Sequence, residues 1–404
     1  MGVTMLESGM WLRGPVGLGA EQRVTRAGCR QVLAMVPTVT AGSRLLDLIP
    51  LLEADARIQL ILTIPGSDRW HGTEDFVRQC GVLALPWQQA LQHRWDLVLS
   101  ASHRHIEQVH GPLLVTPHGA GALKSRLRSR KAGTPTQDTT GLDRELLTYR
   151  GRVVPSAIAV ANELERAALT QLCPEAAALA VVTGDVCFDR MMASETCRSR
   201  YRQALDVDDN QQLIVVSSSW SPDSVFGRHP ELYRRLLEEP DDGVRVAAVL
   251  HPNIWSVHGV WQVRAWLAPA LRRGLLLIPP DDGWQATMIA SDHVIGDHGS
   301  TTSYAAALGR SVHLANPAEH PLRAGSIASV VAETVPVVDH QLPLLPQLRQ
   351  ARRPLPRPEV VGRITDRPGE AARILRTTMY RLLGLSEPSW DPVLPPAAVP
   401  RPLS

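Results

Sequence analysis

The feature that most limits the possible folds is an alternation. Short apolar runs rich in Val, Ile and Leu recur along most of the chain, and most are followed by a stretch with helical spacing of apolar residues. Runs this short, bounded by turn residues and separated by helices, are the pattern of buried parallel strands joined by crossover helices. The first series reads as strand Gln31–Val39, helix Gly42–Leu52, strand Arg57–Ile64 and helix Thr73–Gln79, with Thr73 as its capping residue. Strand Val82–Leu85, helix Gln88–His93 and strands Asp96–Ser100 and Leu113–Thr116 follow. Lys131–Arg150 loses periodicity and reads as a long loop. Strand Val153–Ala161, helix Glu163–Leu172 and strand Ala178–Thr183 close the series, and Ala193–Leu205 reads as a connecting helix.

A second series of similar size starts at Gln212. Its strands are Leu213–Ser217, Arg245–Leu250, Leu275–Ile278, His293–Gly296 and Ser311–Ala315. Its helices are Pro230–Glu238, the Trp-containing Ile254–Leu271, Trp284–Ala290 and Ser303–Leu308. Two such series in 404 residues predict an α/β protein of two doubly wound domains, split near residue 200. The expected division is 1–28 as a disordered extension, 29–200 as the first domain, 201–345 as the second, 346–385 as a helical segment and 386–404 as an unstructured Pro-rich tail.

Ligands of open parallel sheets bind outside the carboxyl ends of the strands. Several polar turns fall there. His118-Gly119 follows Leu113–Thr116, and opens His-Gly-Ala-Gly-Ala-Leu-Lys, in which Gly119 and Gly121 permit close backbone approach and Lys124 adds a cation. Lys124 and Lys131 are the only lysines. Ser218, Ser219 and Trp220 follow Leu213–Val216, and the Trp220 indole can stack on a base. His251 follows Arg245–Leu250 and is stiffened by Pro252. Asp297, His298, Gly299, Ser300 and Thr301 follow His293–Gly296. Ser300 or Thr301 can cap the next helix, while its remaining N–H groups suit an anion such as phosphate. Asp297 reads chiefly as the acceptor that holds this turn, with a ligand hydroxyl as the alternative. A His near neutral pKa suits a general base acting on an alcohol, which makes His118 the candidate. Trp255, Trp261 and Trp266 read as helix packing. The run Arg126, Arg128, Arg130 and Lys131 reads as a solvated face, with an anionic acceptor or membrane surface as the sharper alternative.

A formal charge of +2 speaks against nucleic acid as the main partner. The five cysteines are odd in number and lack metal-ligand spacing, so reduced thiols and a cytoplasmic location are expected. No P-loop, G-x-S-x-G elbow or G-x-G-x-x-G turn follows a strand, and hydrolase, NTPase and dehydrogenase chemistry has no positive support.

Taken in order, His118-Gly119…Lys124, Gly184-Asp185-Val186-Cys187-Phe188-Asp189-Arg190, His251-Pro252 and Asp297-His298-Gly299-Ser300-Thr301 resemble the CDP-glycerol glycerophosphotransferase-like branch of the GT-B glycosyltransferases. More loosely they resemble UDP-sugar transferases and the non-hydrolysing UDP-N-acetylglucosamine 2-epimerases of that fold. The resemblance covers roughly residues 30–385. It implies two Rossmann-like domains facing across an interdomain cleft, with a C-terminal helix crossing back to the first. His251, Ser300 and Thr301 would contact the diphosphate of a CDP- or UDP-linked donor, with His118 near the acceptor as base. Such transferases need no bound metal or cofactor, because helix starts and side chains neutralise the leaving diphosphate. The sequence departs from the family in three ways, one of them the lack of a conspicuous amphipathic basic membrane helix. His118 and Lys124 stand one residue further apart than its His-Gly-x-x-x-Lys spacing, and Asp297-His298-Gly299-Ser300 replaces a common Asp-Tyr-Ser-Ser. These departures favour a soluble transferase of a specialised biosynthetic pathway over a wall-polymer polymerase, acting on a small-molecule, peptide or polymer acceptor, with an oligomer and peripheral membrane association left open. An epimerase using Asp297 and Asp185, or a non-catalytic nucleotide- or partner-binding protein, are the alternatives.

Overall fold

The computed structural model describes residues 11–17, 19–66, 70–123, 141–239, 241, 243–318, 322–350 and 357–403. Lys124 and the basic run Arg126–Lys131 lie outside the described residues, as do residues 1–10 of the expected extension. The chain divides into two units. The first runs to His118 and adds Gly141–Val186 and Arg367–Leu394; the second takes Gly119 onward, Cys187–Asp366 and the chain end from Pro395.

Among the described residues unit 1 carries nine strands: β1 (Arg30–Met35), β2 (Ile58–Thr63), β3 (Ala84–Leu85), β4 (Leu97–Ser100), β5 (Leu113–Val115), β6 (Thr148–Tyr149), β7 (Arg152–Val153), β8 (Ala157–Val160) and β9 (Ala180–Val182). Seven of them form a parallel sheet in the order β3-β2-β1-β4-β5-β8-β9. All four residues of β4 are buried, as are all four of β8, which explains why these strands read as unbroken apolar runs. The expected strand Val153–Ala161 is divided, because Arg152–Val153 turns back to pair antiparallel with Thr148–Tyr149. Part of the expected long loop is therefore a helix, Arg144–Leu147, and a hairpin. Helix Ala371–Leu383 completes the core: Leu375, Met379, Tyr380 and Leu383 pack with Leu48, Leu51 and Leu97. The Tyr380 hydroxyl donates to Asp55 at 2.8 Å. Arg57 binds the same carboxylate through Nε and Nη2 and holds it far below the usual carboxylate range.

Two expectations for this unit change. Thr73 is the first residue of its helix, and the cap position belongs to Gly72, whose φ of 86° suits glycine. The expected extension is partly built in: Leu12 exchanges two hydrogen bonds with the Gln89 amide, both at 2.8 Å, and Val16 is buried.

Among the described residues unit 2 has five parallel strands, β10 (Gln212–Ser218), β11 (Val244–Leu250), β12 (Leu276–Ile278), β13 (His293–Gly296) and β14 (Ser311–Leu314), in the order β12-β11-β10-β13-β14. Apolar clusters cover both faces, one around Val215, Val294 and Tyr304 and one around Ile214, Val246 and Ile295. His293 and Ile295 share a face of β13, and the β14 register sets His313 beside Ile295. Both imidazoles are buried, and burial lowers the His313 pKa to about 4.

Four expectations differ here. The helix after β13 runs from Ser300 to Ala307 and not from Ser303. The expected connecting helix Ala193–Leu205 is two pieces, a 3-10 turn Ser194–Cys197 and helix Arg198–Ala204, with a further helix, Val186–Ala193, just before it. Helix Pro252–Leu271 is broken at Gly259, where φ is 78°, and Trp261 and Trp266 are exposed on it, whereas the sequence suggests packing for them. The chain end is not loose. Arg190 donates to the carbonyls of Pro395 and Pro396, Tyr201 donates to that of Ala397, and Leu403 pairs with Leu277 of edge strand β12. Proline lacks the N–H but keeps the carbonyl, so a Pro-rich segment can be held by donors from outside. Helix Ile327–Thr334 was not anticipated, whereas Leu344–Gln350 and Arg357–Ile364 fall in or at the edge of the expected helical segment 346–385.

Candidate functional site

Strand register builds the site in unit 2. Val216 of β10 stands beside Ile295 of β13, and Ser218 beside Leu250 of β11. The residues that follow these strands therefore emerge on one edge: Ser219 and Trp220, His251, and Asp297 to Thr301. Successive strands run outward from β10 in both directions, so β10 and β13 flank the point where the winding reverses. That is where ligands bind in doubly wound sheets.

Asp297 ties this point together. Its Oδ2 accepts from the Ser219 backbone N–H and from the Ser219 hydroxyl, both at 2.7 Å, and from Val225 N–H at 3.4 Å. Its Oδ1 accepts from Gly299 N–H at 3.1 Å. The carboxylate is buried and its oxygens are engaged by the chain's own donors, which matches a turn-holding role. Ser218 is likewise internal: its hydroxyl donates to Ser219 O and accepts from Phe226 N–H. Tyr233, which the sequence did not single out, is buried next to this group. Burial, reinforced by the Asp297 charge, raises its phenol well above the ordinary value. Tyr233 lies in the expected helix Pro230–Glu238, but nothing in its spacing marks it as a neighbour of Asp297.

The helix after this turn starts without a side-chain cap. Gly299 holds the cap position in an extended conformation and no side chain there accepts from the first turn. The expected capping by Ser300 or Thr301 does not occur. Both belong to the first turn itself, with Ser300 exposed and Thr301 half-buried. Ser300 Oγ instead accepts from Ala120 N–H at 3.1 Å. A Cβ on Gly119 would lie 2.5 Å from that hydroxyl, so glycine is what lets the two segments approach. Gly121 has φ 74°, again a glycine conformation. His298 is half-buried.

His251 caps the long helix. Its Nδ1 accepts from Asn253 N–H at 3.0 Å, so Nδ1 carries no proton and the ring is the Nε2–H tautomer. The Nε2–H is then the ring's donor. The half-exposed Trp220 indole lies 6.3 Å from the His251 ring, centroid to centroid, tilted by 37°. Further along the same sheet edge, His229 and His340 stack at 3.8 Å. His229 Nε2 lies 2.6 Å from Asn316 Oδ1. No sequence spacing links these three.

His118 closes the first stretch of unit 1, three residues beyond β5, and is exposed. Among the described residues no group of three or more His, Cys, Asp or Glu side chains is placed to hold a metal ion, and no helix is long and apolar enough to cross a membrane.

Two parallel sheets, each with helices between its strands, are the Rossmann-like domains of the GT-B fold, and the chain has that fold. Solved structures agree. A variant of the wall teichoic acid polymerase TagF matches over 90% of this chain and 91% of its own at a TM-score of 0.55 and 12% identity. A second TagF variant, soaked with CDPG, matches over 88% of each chain at 0.52 and 11%. No family model matches the sequence, and no curated protein is similar to it.

Proposed function

We propose that the protein is a GT-B transferase that moves a glycosyl or polyol-phosphate group from a CDP- or UDP-linked donor to a nucleophilic acceptor. The observation that carries this reading is the switch point of unit 2. There Asp297 fixes the strand ends and the next helix starts at Ser300 without a side-chain cap. Backbone N–H groups of a helix's first turn, together with its dipole, suit the donor diphosphate. In this reading the His251 Nε2–H donates to a phosphate or ribose oxygen, and the Trp220 indole offers a face to the base. Ser300 and Thr301 add hydroxyl donors. Because the donor is charged and the site's donors are preorganised, they stabilise charge as it develops on the leaving group.

His118 is the proposed base. It takes the proton of the acceptor hydroxyl as the acceptor oxygen bonds to the transferred group. If a glycosyl group moves, the C–O bond to the diphosphate breaks and a nucleoside diphosphate leaves. If a polyol phosphate moves, the phosphoanhydride breaks and a nucleoside monophosphate leaves. Two facts weigh against an epimerase. Asp297 is engaged by its own turn, and Asp185 is buried in an ion pair with Arg44 at 2.9 Å. Neither is poised as an acid or base.

The test is calorimetric titration with CDP- and UDP-linked donors, then chromatography of the released nucleotide. We expect binding of one donor class, weakened about tenfold in Ser300→Ala and His251→Ala, and a loss of turnover in His118→Ala with donor affinity kept. Absence of binding to every donor, or equal binding by the variants, would refute the assignment.

A further inference from the structure

The segment from Ser219 to His229 carries Ser219 and Trp220 to the strand-end site, and it is tied at both ends. At the near end Asp297 takes the Ser219 and Val225 N–H groups, and Ser218 Oγ takes that of Phe226. Between the ends the segment is one compact piece. Ser224 Oγ accepts from Gly227 N–H and so caps the short helix Val225–Arg228. A Cβ on Gly227 would lie 2.4 Å from the Pro222 carbonyl oxygen, so the turn folds directly onto that helix. A piece this compact turns as a whole unless a second point fixes it.

The second point is His229. Asn316 Oδ1 can only accept, so the contact at 2.6 Å makes His229 Nε2 the donor. The His229 ring lies flat on that of His340, with 3.8 Å between centroids and 12° between planes. His340 Nε2 donates to Ala315 O at 2.7 Å, and the His340 loop is braced by Gln347, which accepts from Asp339 N–H and donates to Asp339 O. Ala315 N–H bonds Gly296 O, and Gly296 directly precedes Asp297. The two ties therefore rise from the neighbouring ends of β13 and β14, with the segment pinned across them. The cluster adds little to stability. Among the described residues Asn316 Nδ2 and His340 Nδ1 are buried without a hydrogen-bond partner, a cost that apolar side chains in their place would not carry. What a polar cluster supplies and an apolar one does not is a fixed direction for the His229 bond.

We propose that His229 is a positioning residue of the donor site. Its bond to Asn316 and its stack on His340 fix the orientation of Ser219–Arg228, and through it that of the Trp220 indole toward the base of the donor. His229 acts through this segment and not on the donor itself. The consequence for binding rests on the donor reading of the strand-end site, whereas the tie belongs to the chain without ligand.

Hydrogen exchange on the unliganded chain tests the tie. The Val225, Phe226 and Gly227 N–H groups should exchange about tenfold faster in His229→Ala, with β10 and β13 unchanged. His229→Gln, whose amide nitrogen reaches the place of Nε2, should restore slow exchange, and His229→Phe, which keeps only the stack, should restore part of it. Should His229→Ala not fold, Asn316→Leu supplies the same comparison with the stack intact. Long-range 1H–15N correlation of the imidazoles should show the proton of His229 on Nε2. Calorimetry with CDP- and UDP-linked donors tests the consequence. Affinity should fall about fivefold in His229→Ala and Asn316→Leu, and stay within about twofold of wild type in His229→Gln and in Asn316→Asp, which keeps the acceptor oxygen. Unchanged exchange in the folded variants, or a His229 proton on Nδ1 alone, would overturn the tie. Faster exchange with undiminished donor affinity would overturn the positioning role. A wild type that binds neither donor class would overturn the donor reading and the positioning role with it, and the exchange result would still decide the tie.

Discussion

The two sheets share one winding but not one use of polar groups. In unit 1 the helix after β1 opens on Thr38, whose hydroxyl accepts from Ala41 N–H at 3.2 Å. The same helix sends Arg44 to the buried Asp185, and at the end of β4 the Ser100 hydroxyl donates to Ser102 O. At this reversal point the polar side chains are turned to the chain's own groups. The equivalent point of unit 2 holds its loops with one carboxylate, Asp297, and leaves the helix start at Ser300 without a side-chain cap. The contrast teaches that topology offers a binding edge in each unit, while the placement of a few caps decides which edge is open to an anion.

Three changes test that contrast. The largest effect is expected from Asp297→Ala. It strips the acceptor from three backbone N–H groups and a hydroxyl, which should cost about 3 kcal/mol or more in thermal or denaturant unfolding and abolish donor binding with it. A variant that melts like wild type would show that the tie does not organise the edge.

A slightly smaller effect concerns acid. His313 is buried and its pKa is lowered to about 4, so the folded state takes up its proton only well below the ordinary value of about 6.5. Its stability contribution is full above about pH 6.5 and is lost as pH falls toward 4, by about 3 kcal/mol over that window. Asp55 of unit 1 also has a lowered pKa, through its hydrogen bonds with Arg57, but its contribution persists until pH falls below about 4. Burial also lowers His93 of unit 1, in the same sense but by less than His313, so unit 2 should lose more stability than unit 1 as pH falls from about 6.5 toward 4. Acid titration followed by hydrogen exchange in each unit checks the order, and His313→Leu should move the unit 2 transition to lower pH.

The smallest change is Thr38→Ala, expected to cost about 1 kcal/mol, the ordinary loss of a helix cap. Donor affinity by calorimetry should not move. A large drop in affinity would mean that the edge of unit 1 matters to donor binding as well.

Much of this was legible from the residues. β4, β8, β10 and β13 are apolar because both faces of a parallel sheet are covered, and that burial writes itself into the sequence as Val, Ile, Leu and Ala. The order of polar turns at strand ends was readable for the same reason. Helix starts were less so. Ser and Thr are good caps in general, and the sequence places Thr73, Ser300 or Thr301 in that role. A glycine one or more positions earlier took it instead, because backbone conformation and the reach of Asp297 fix where the first turn begins.

Composition also misled at the chain end. Proline content predicted a loose tail, yet Arg190 and Tyr201, remote in sequence, supply the donors that hold it. The approach of Ala120 to Ser300, the burial of Tyr233 beside Asp297 and the exposure of Trp261 likewise join or separate residues that no local pattern relates. The sequence alone determined two α/β series and the polar residues that end their strands, because periodicity and burial are local signals. Only the tertiary structure decided which polar groups face their own chain and which face outward, because that depends on partners brought together across many residues of chain.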